Sequence, residues 1–430
     1  MVSLSISEND KQQIIDNLIE NTLEITFPDG DELTITEENI LSESMKLIQS
    51  ICNDSTLRFG GCIASRFEID LLDSAERKFS TDLTGKWISV ALIQKYPSSE
   101  FLYPSANLAP SQNLAPGKII AEKKWYIFSG FIDSAKVDKN NKNQRHIIAY
   151  DVMAKLYEWD ATNHLFALWQ SYPDGYTVGD LFVICLNHNG HMVVVLNDSE
   201  YLDEVINQTT GLTVRDFPTM NKDWLKNSDT ISYGTIIKNL CETIGLFGVI
   251  KPNEGKGVFR LISLGENTET YSFYEEMYAE EFISHGYSNF IFINGYSGRS
   301  AKTIEFEPSF VTSDYIKDYD MTGNIVFWQE DDGTGGSKVH YLNDLLNGES
   351  GKRMYNSAFT PLSATLDGRL WVNCGDRILI NSYKTDENGD YMFDENSDLI
   401  IETTESFVLS RTITGIKALT DKIEAKGEIL

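Results

Sequence analysis

The chain reads as mainly β with α+β parts: barrel-like antiparallel modules at its two ends flank a smaller α+β stretch. Three observations predict this. Across residues 57–71, the set Leu57, Phe59, Gly61, Ile63, Ser65, Phe67, Ile69, Leu71 alternates with Arg58, Gly60, Cys62, Ala64, Arg66, Glu68, Asp70. Period two is the mark of a strand with one buried face. Short apolar runs separated by polar turns recur before residue 160 and again after residue 282, the pattern of an antiparallel barrel or sandwich. Between them, residues 233–246 place Ile236, Ile237, Leu240, Cys241 and Ile244 on one helical stripe. The expected units are residues 1–160 as a first antiparallel barrel or sandwich, 161–275 as an α+β domain and 276–430 as a second such β module with inserted loops and a C-terminal helix.

Each element has a local cause. Ser7-x-x-Asp10 opens a helix over residues 7–20 in the manner of a capping box, with Ile14, Ile15, Leu18 and Ile19 on one face. Leu23, Ile25 and Phe27 alternate, Pro28-Asp29-Gly30 turns, and Leu33 and Ile35 alternate back, which is a hairpin. A short segment, 43–51, leads into the 57–71 alternation. At ~3.3 Å per residue a strand of that length would span about 50 Å, so the Gly60-Gly61 pair is where it is expected to bend.

Residues 85–93 read as a strand and 97–116 as a Pro/Ser/Asn-rich loop. Residues 119–137 form an aromatic strand carrying Lys124-Trp125-Tyr126-Ile127-Phe128. A polar turn over 138–144, a strand over 145–150 and a helix over 151–159 close the first third. Residues 177–186 look helical. After the 233–246 helix come Val249-Ile250, a turn at Gly255 and Gly257, and a strand over 258–264. Strands are then expected at 289–296, 325–328, 362–366, 377–383, 399–403 and 407–414. A closing helix is expected to carry Ile416, Leu419 and Ile423 on one face, with Gly427 as its C-cap. Residues 145–156 and 406–425 would thus play matching roles, an architectural repeat.

With 430 residues, 41% hydrophobic and 23% charged, the composition is that of a multidomain globular protein. No apolar run approaches the ~18 residues of a membrane span, the stretch 181–186 being typical of the longest. Residues 1–6 lack the basic region and apolar core of a secretory leader, so synthesis and assembly in a cytosol are expected. A net charge of −28 argues against a general nucleic-acid binder, which needs Lys and Arg to displace counterions. The five cysteines, Cys52, Cys62, Cys185, Cys241 and Cys374, form no C-x-x-C and are expected as buried free thiols.

Candidate chemistry is sparse. Residues 331–338 (Asp-Asp-Gly-Thr-Gly-Gly-Ser-Lys) lack the spacing of a phosphate loop and a helix to follow it. Asp386-Glu387-Asn388-Gly389-Asp390, near Asp394 and Glu395, has neither the glycine nor the terminal glutamate placement of a calcium loop. His188 and His191 flank Asn189-Gly190, a turn, with no zinc-protease signature beside them. No G-x-S-x-G elbow occurs. Neither a catalytic residue nor a metal or cofactor ligand is assigned.

Several stretches in order resemble a family. Residues 39–45 (Asn-Ile-Leu-Ser-Glu-Ser-Met), then Leu57-Arg58-Phe59-Gly60, Cys62 and Ala64-Ser65, resemble the opening of bacteriophage tail hub proteins. Residues 130–134 (Gly-Phe-Ile-Asp-Ser) through Ile148-Ala149-Tyr150-Asp151-Val152-Met153 resemble the close of that family's first barrel. Pro361-Leu362-Ser363, Cys374-Gly375-Asp376-Arg377-Ile378 and residues 408–416, which contain Ser410, Arg411 and Gly415, resemble the close of the second.

The resemblance implies two tube-type antiparallel β-barrel domains and a homotrimer that presents six similar modules, adapting a sixfold tail to a threefold tip. It implies a structural, non-enzymatic virion component at the tail tip or baseplate. The implied partners are a distal tail or tail-tube protein, a tape-measure protein, and a separate spike, fibre or lysin chain. DNA would pass through without specific binding, and inward carboxylates would repel it. Many relatives carry a C-terminal extension; here the sequence stops at Leu430, which is expected to mean a bare hub. The contending reading is a virion-associated glycan hydrolase or carbohydrate-binding β protein. Its signature would be facing carboxylates in a cleft lined by aromatics such as Trp125 or Trp328.

Overall fold

The computed structural model describes residues 6–27, 33–35, 37–73, 83–102, 117–171, 178–186, 230–253, 256–272, 277–294, 302–312, 315–324, 345–384, 390–396 and 398–427. Helix α1 (Glu8–Asn17) begins as its sequence dictates: the Ser7 hydroxyl accepts the Asp10 N–H at 3.1 Å and donates to the Asp10 carboxylate at 2.8 Å. Only Ile14 of its apolar face is buried; Ile15, Leu18 and Ile19 stand exposed, the last two beyond the helix. Strands β1 (Glu20–Phe27) and β2 (Leu33–Ile35) pair as the expected hairpin, Phe27 opposite Leu33; the 28–30 turn lies outside the described residues.

The long alternating stretch is a strand only in its second half. After β3 (Lys46–Ser50), strand β4 is Arg66–Leu72, with Phe67, Ile69 and Leu71 buried and their neighbours half-buried. Residues 57–65 leave the sheet because their backbone bonds elsewhere. The Gly60 N–H donates to Leu246 O at 2.9 Å, and Gly61 O accepts from Gly248 N at 3.0 Å. Gly60 sits at φ +78°, where a Cβ would lie 2.5 Å from Glu242 Cβ, so only glycine fits.

Beyond it, β5 (Trp87–Leu102) and β6 (Gly117–Val137) pair along nearly their whole length. β5 therefore runs past Pro97 into the stretch expected to be loop. A register shift beside Pro97 marks where the ladder absorbs a residue without an N–H. β7 (Gln144–Tyr150) and α2 (Val152–Glu158) follow at the expected positions.

In the middle, α3 (Thr162–Ser171), α4 (Val178–Leu186) and α5 (Tyr233–Thr243) precede the hairpin of β8 (Phe247–Asn253) and β9 (Lys256–Ile262). The whole predicted stripe of α5 is buried. The later elements are β10 (Thr268–Ser272), β11 (Met277–Ala279), β12 (Asn289–Asn294), β13 (Lys302–Phe306) and β14 (Asp318–Asp320). They continue with α6 (Glu349–Tyr355), β15 (Leu362–Asp367), β16 (Arg377–Tyr383), β17 (Ile401–Phe407), β18 (Ser410–Thr414) and β19 (Thr420–Ala425). The strand expected at 325–328, residues 331–338, Trp328, His188, His191 and the 386–389 run lie outside the described residues.

The closing helix is not there. Residues 420–425 form β19, which pairs with both β15 and β18. Its inward set is Asp421, Ile423 and Ala425. A carboxylate at an inward position hid the period of two, and Ile416, Leu419 and Ile423 imitate a helical stripe. Gly427 is no cap: it lies against Pro361, Phe282 and Ser284. The strand-strand-helix parallel between 145–156 and 406–425 therefore fails at its last member.

Eleven strands form one open antiparallel sheet in the order β11-β15-β19-β18-β3-β4-β7-β6-β5-β1-β2. β18 pairs with β3, Ser410 opposite Ser50 and Thr414 opposite Lys46, so strands from the last third continue directly into those of the first. The fold is mainly β and antiparallel; among the described residues β2 and β11 remain ends and do not pair with each other. Smaller sheets are β10-β16-β17 and β13-β12-β14, each with one parallel pair. One apolar core lies under β1–β7 and receives Ile14 of α1, Ile413 and Ile416; the other gathers α2–α6, β8–β9 and most strands of the last third. Trp371 packs against both.

Candidate functional site

Three of the motif residues, Ser410, Arg411 and Gly415, lie on or directly after β18 at the β3–β18 seam. Strand β18 delivers Ser410 and Arg411. The Ser410 hydroxyl is 2.7 Å from that of Ser55, which follows β3. Arg411, 2% exposed, sends its guanidinium to the carboxylate of Asp421 on β19 and to the Val372 and Arg369 carbonyls, the last at 3.1 Å. Burial pushes the Asp421 carboxyl up, and Arg411 opposes that rise. Gly415 ends β18 at φ +79°, its N–H donating to Met45 O at 3.2 Å.

Two aspartates lock the loops beside the seam. Asp151 follows Ala149, which is buried opposite Phe67, and Tyr150, which pairs with Arg66 in β4. Its carboxylate caps α2 through Met153 N at 2.9 Å and accepts the Ser65 N–H at 2.7 Å. Burial pushes it up to about 7 against those two hydrogen bonds. Asp376 accepts from Asn373 N at 2.8 Å and Asn267 Nδ2 at 3.0 Å, and burial raises it too. Gly375 beside it takes φ +93°, its N–H reaching Val408 O at 2.8 Å.

The remaining motif residues pin the 57–65 segment to α5 and β14. Phe59 stacks among Phe247, Tyr287 and Tyr319, with centroids 5.1, 6.3 and 6.2 Å away. Arg58 is exposed, donates to Asp320 O at 3.2 Å, and its Nε lies 3.7 Å from Glu242. Glu242, 2% exposed, accepts from Tyr319 OH and Asn324 Nδ2, each at 2.8 Å. Ala64 is half-buried against the same core. Arg58, Phe59 and Gly60 are thus together; Ser65 joins Asp151, and Arg411 pairs with Asp421.

A cavity of about 290 Å³ opens beside the seam, lined by residues of both halves, including Ser65, Arg411, Trp125 and Trp371. The two indoles stand 6.2 Å apart by centroid, and neither Nε1–H has an acceptor among the described residues. Lys251 and Arg260 supply charge, and no carboxylate lines it among the described residues. The facing carboxylates that a hydrolase cleft around Trp125 would need are not among its described walls.

Sequence reasoning passed over Asp421, Glu242 and Trp371. Asp421 and Glu242 are carboxylates amid 64, and only pairing distances single them out. All five cysteines are buried and free, Cys62 Sγ standing 3.6 Å from Cys241 Sγ. No group of three or more potential metal ligands occurs among the described residues. No helix among them is long and apolar enough to cross a membrane.

No protein-family model matches the chain, and no curated protein matches it. Among solved structures, the chain is similar to the tail protein from Neisseria meningitidis MC58. The TM-score is 0.46 at 12% identity, over 95% of this chain and 97% of that one. It is also similar to the prophage MuSo2 43 kDa tail protein from Shewanella oneidensis, with TM-score 0.42 and 10% identity, over 94% and 98%.

Proposed function

We propose that the protein is a structural phage tail component, a hub ring at the tail tip or baseplate. The observation that carries this reading is the open eleven-stranded sheet, which joins strands of both chain halves and ends in β2 and β11. Edge strands present unpaired N–H and C=O groups, so they are templates for another chain. The ordered family-like motifs support it, and those on β18 lie at the seam that fuses the two halves.

In this reading the two modules are β11-β15-β19-β18 and β3-β4-β7-β6-β5-β1-β2, each a segment of a tube wall rather than a barrel closed within one chain. Three copies supply six modules and adapt a sixfold tail tube or distal tail ring to a threefold tip. Tape-measure, spike, fibre or lysin chains are the neighbours. Carboxylates from a chain of net charge −28, placed along the channel, let DNA pass without adhering.

Mass photometry of the purified chain, followed by negative-stain imaging, tests this. A trimer with a central hole is the expected result. A monomer at micromolar concentration that yields no ring with tail-tube protein overturns it.

A further inference from the structure

From Asn381 to Glu405 no described residue is buried, so the β16–β17 hairpin leaves the body as an arm. Its root is held by Ile378, Ile380 and Phe407, all members of the core of the last third. Past that root the hairpin loses its buried layer, yet it is not polar. Tyr383 and Ile401 are cross-strand partners and share a face. Tyr391 packs edge-on against Tyr383 at 5.7 Å, and Phe393, two residues on, continues the same side. Tyr391, Phe393 and Ile401 are 55%, 59% and 54% exposed. An apolar face left this open marks a contact with another protein surface.

Charge says which kind of surface. Asp390, Asp394, Glu395, Asp398 and Glu402 are exposed along the arm, and Lys384 is the one basic side chain there among the described residues. The complement must therefore be basic around an apolar centre. A chain of net charge −28 offers few such places, but the β6–β7 turn is one. Lys136, Lys139 and Lys142 are exposed around Val137, itself 45% exposed. The carboxylate between them, Asp138, is turned onto the Asn140 and Asn141 N–H groups at 2.6 and 2.9 Å.

Within one chain the turn and the arm's root stand at opposite ends of the sheet. Gln144, beside the turn, pairs with Leu72 at the end of β4; Arg66, at its start, pairs with Tyr150 and lies opposite Ile48. Ser410, just after the root, pairs with Ser50, beyond that start. No ion pair joins arm to turn among the described residues, and the three lysines have none of their own there.

We propose that the acidic aromatic arm of one copy docks on the lysine-bearing β6–β7 turn of the next. Tyr391 and Phe393 lie against Val137, and Asp394 and Glu395 face Lys139 and Lys142. This contact rests on the ring reading above. It joins two different surfaces, and such a heterologous contact closes a ring when its rotation closes.

Light and isotopically heavy full-length chains are mixed, assembled, cross-linked with a zero-length carbodiimide and separated by mass before peptide mapping. Amide links from Lys136, Lys139 or Lys142 to Asp394, Glu395 or Glu402 are expected between light and heavy chains, in the ring fraction and not in the monomer. Lys139→Glu with Lys142→Glu is expected to raise the concentration for half-assembly about tenfold, as is Asp394→Lys with Glu395→Lys. All four together should return it to within about threefold of wild type, because the charges are then exchanged. Tyr391→Ser with Phe393→Ser should weaken assembly with the charges intact. Neutral variants (Lys139→Gln with Lys142→Gln, Asp394→Asn with Glu395→Gln) replace a reversal that lowers the unfolding midpoint. A wild-type ring whose links lie elsewhere, or one that survives both sets of charge variants, overturns the arm contact and leaves the ring standing. A wild-type chain that never assembles, with or without tail-tube protein, overturns both.

Discussion

Arg411 on β18, the strand that meets β3 at the seam, and Asp421 on β19, 2% and 0% exposed, pair through their side chains. Taking both charges out of water is costly, and the pair holds because the guanidinium also meets the Arg369 and Val372 carbonyls. Removing one partner strands the other. Arg411→Met is expected to lower stability by about 3–5 kcal/mol, whereas Arg411→Met with Asp421→Leu recovers most of that loss. Urea denaturation of the three proteins measures it; a double variant as unstable as the single one contradicts the pairing.

Asp151 makes stability depend on pH in a defined direction. Its folded value, about 7, lies above the ordinary 3.8, so between those pH values the folded chain binds a proton that the unfolded chain has released. Stability from this group is therefore greatest in acid and falls as pH rises from about 4 to about 7. Three units correspond to about 4 kcal/mol as an upper bound. Because general charge repulsion in so acidic a chain acts in the same direction, the signal is the difference between wild type and Asp151→Asn. That gap should narrow with rising pH; if it widens, the two N–H donors outweigh burial.

Gly60 is irreplaceable for two independent reasons. Its φ of +78° is strained for any other residue, and a Cβ would strike Glu242 and the Lys238 carbonyl at 2.5 and 2.7 Å. Gly60→Ala is expected to cost about 2–4 kcal/mol. By contrast Gly85, at φ +81° with nothing within 4 Å of a Cβ, should lose only about 1 kcal/mol. Comparing the two melting curves separates backbone strain from collision.

The proposed ring can be broken at one strand edge without touching a core. Tyr278 in β11 is 65% exposed, and a lysine there places charge on the sheet's open end. Tyr278→Lys is expected to leave the monomer's unfolding free energy within about 0.5 kcal/mol of wild type. The assembly, read by mass photometry, should shift to monomer. Intact rings would exclude that edge from the interface.

The hairpin of β1 and β2, the aromatic strand β6, the cap at Ser7 and the buried stripe of α5 were all legible in the chain because each has a local cause. Alternation, turn residues and helical spacing act over a few neighbours. The last strand was misread because Asp421 looks like a surface residue until Arg411 is found beside it. The 57–65 segment was misread because its alternation is real, yet its backbone bonds go to Leu246 and Gly248, nearly two hundred residues away in sequence. The candidate site was half legible. Trp125 stood out as an aromatic, whereas Trp371 and Lys251 join it around one cavity only once two distant parts of the chain are packed.

By itself the sequence determined the strand-rich class, the position of most elements, the acidic balance of charge and the buried free thiols, since these follow from composition and short-range periodicity. Only the tertiary structure decided that β3 and β18 join both ends of the chain into one sheet, and that a cavity lined by both halves lies beside that join. Which strand pairs with which, and which charge is neutralised by which, are set by contacts between residues remote in sequence, and no local pattern encodes them.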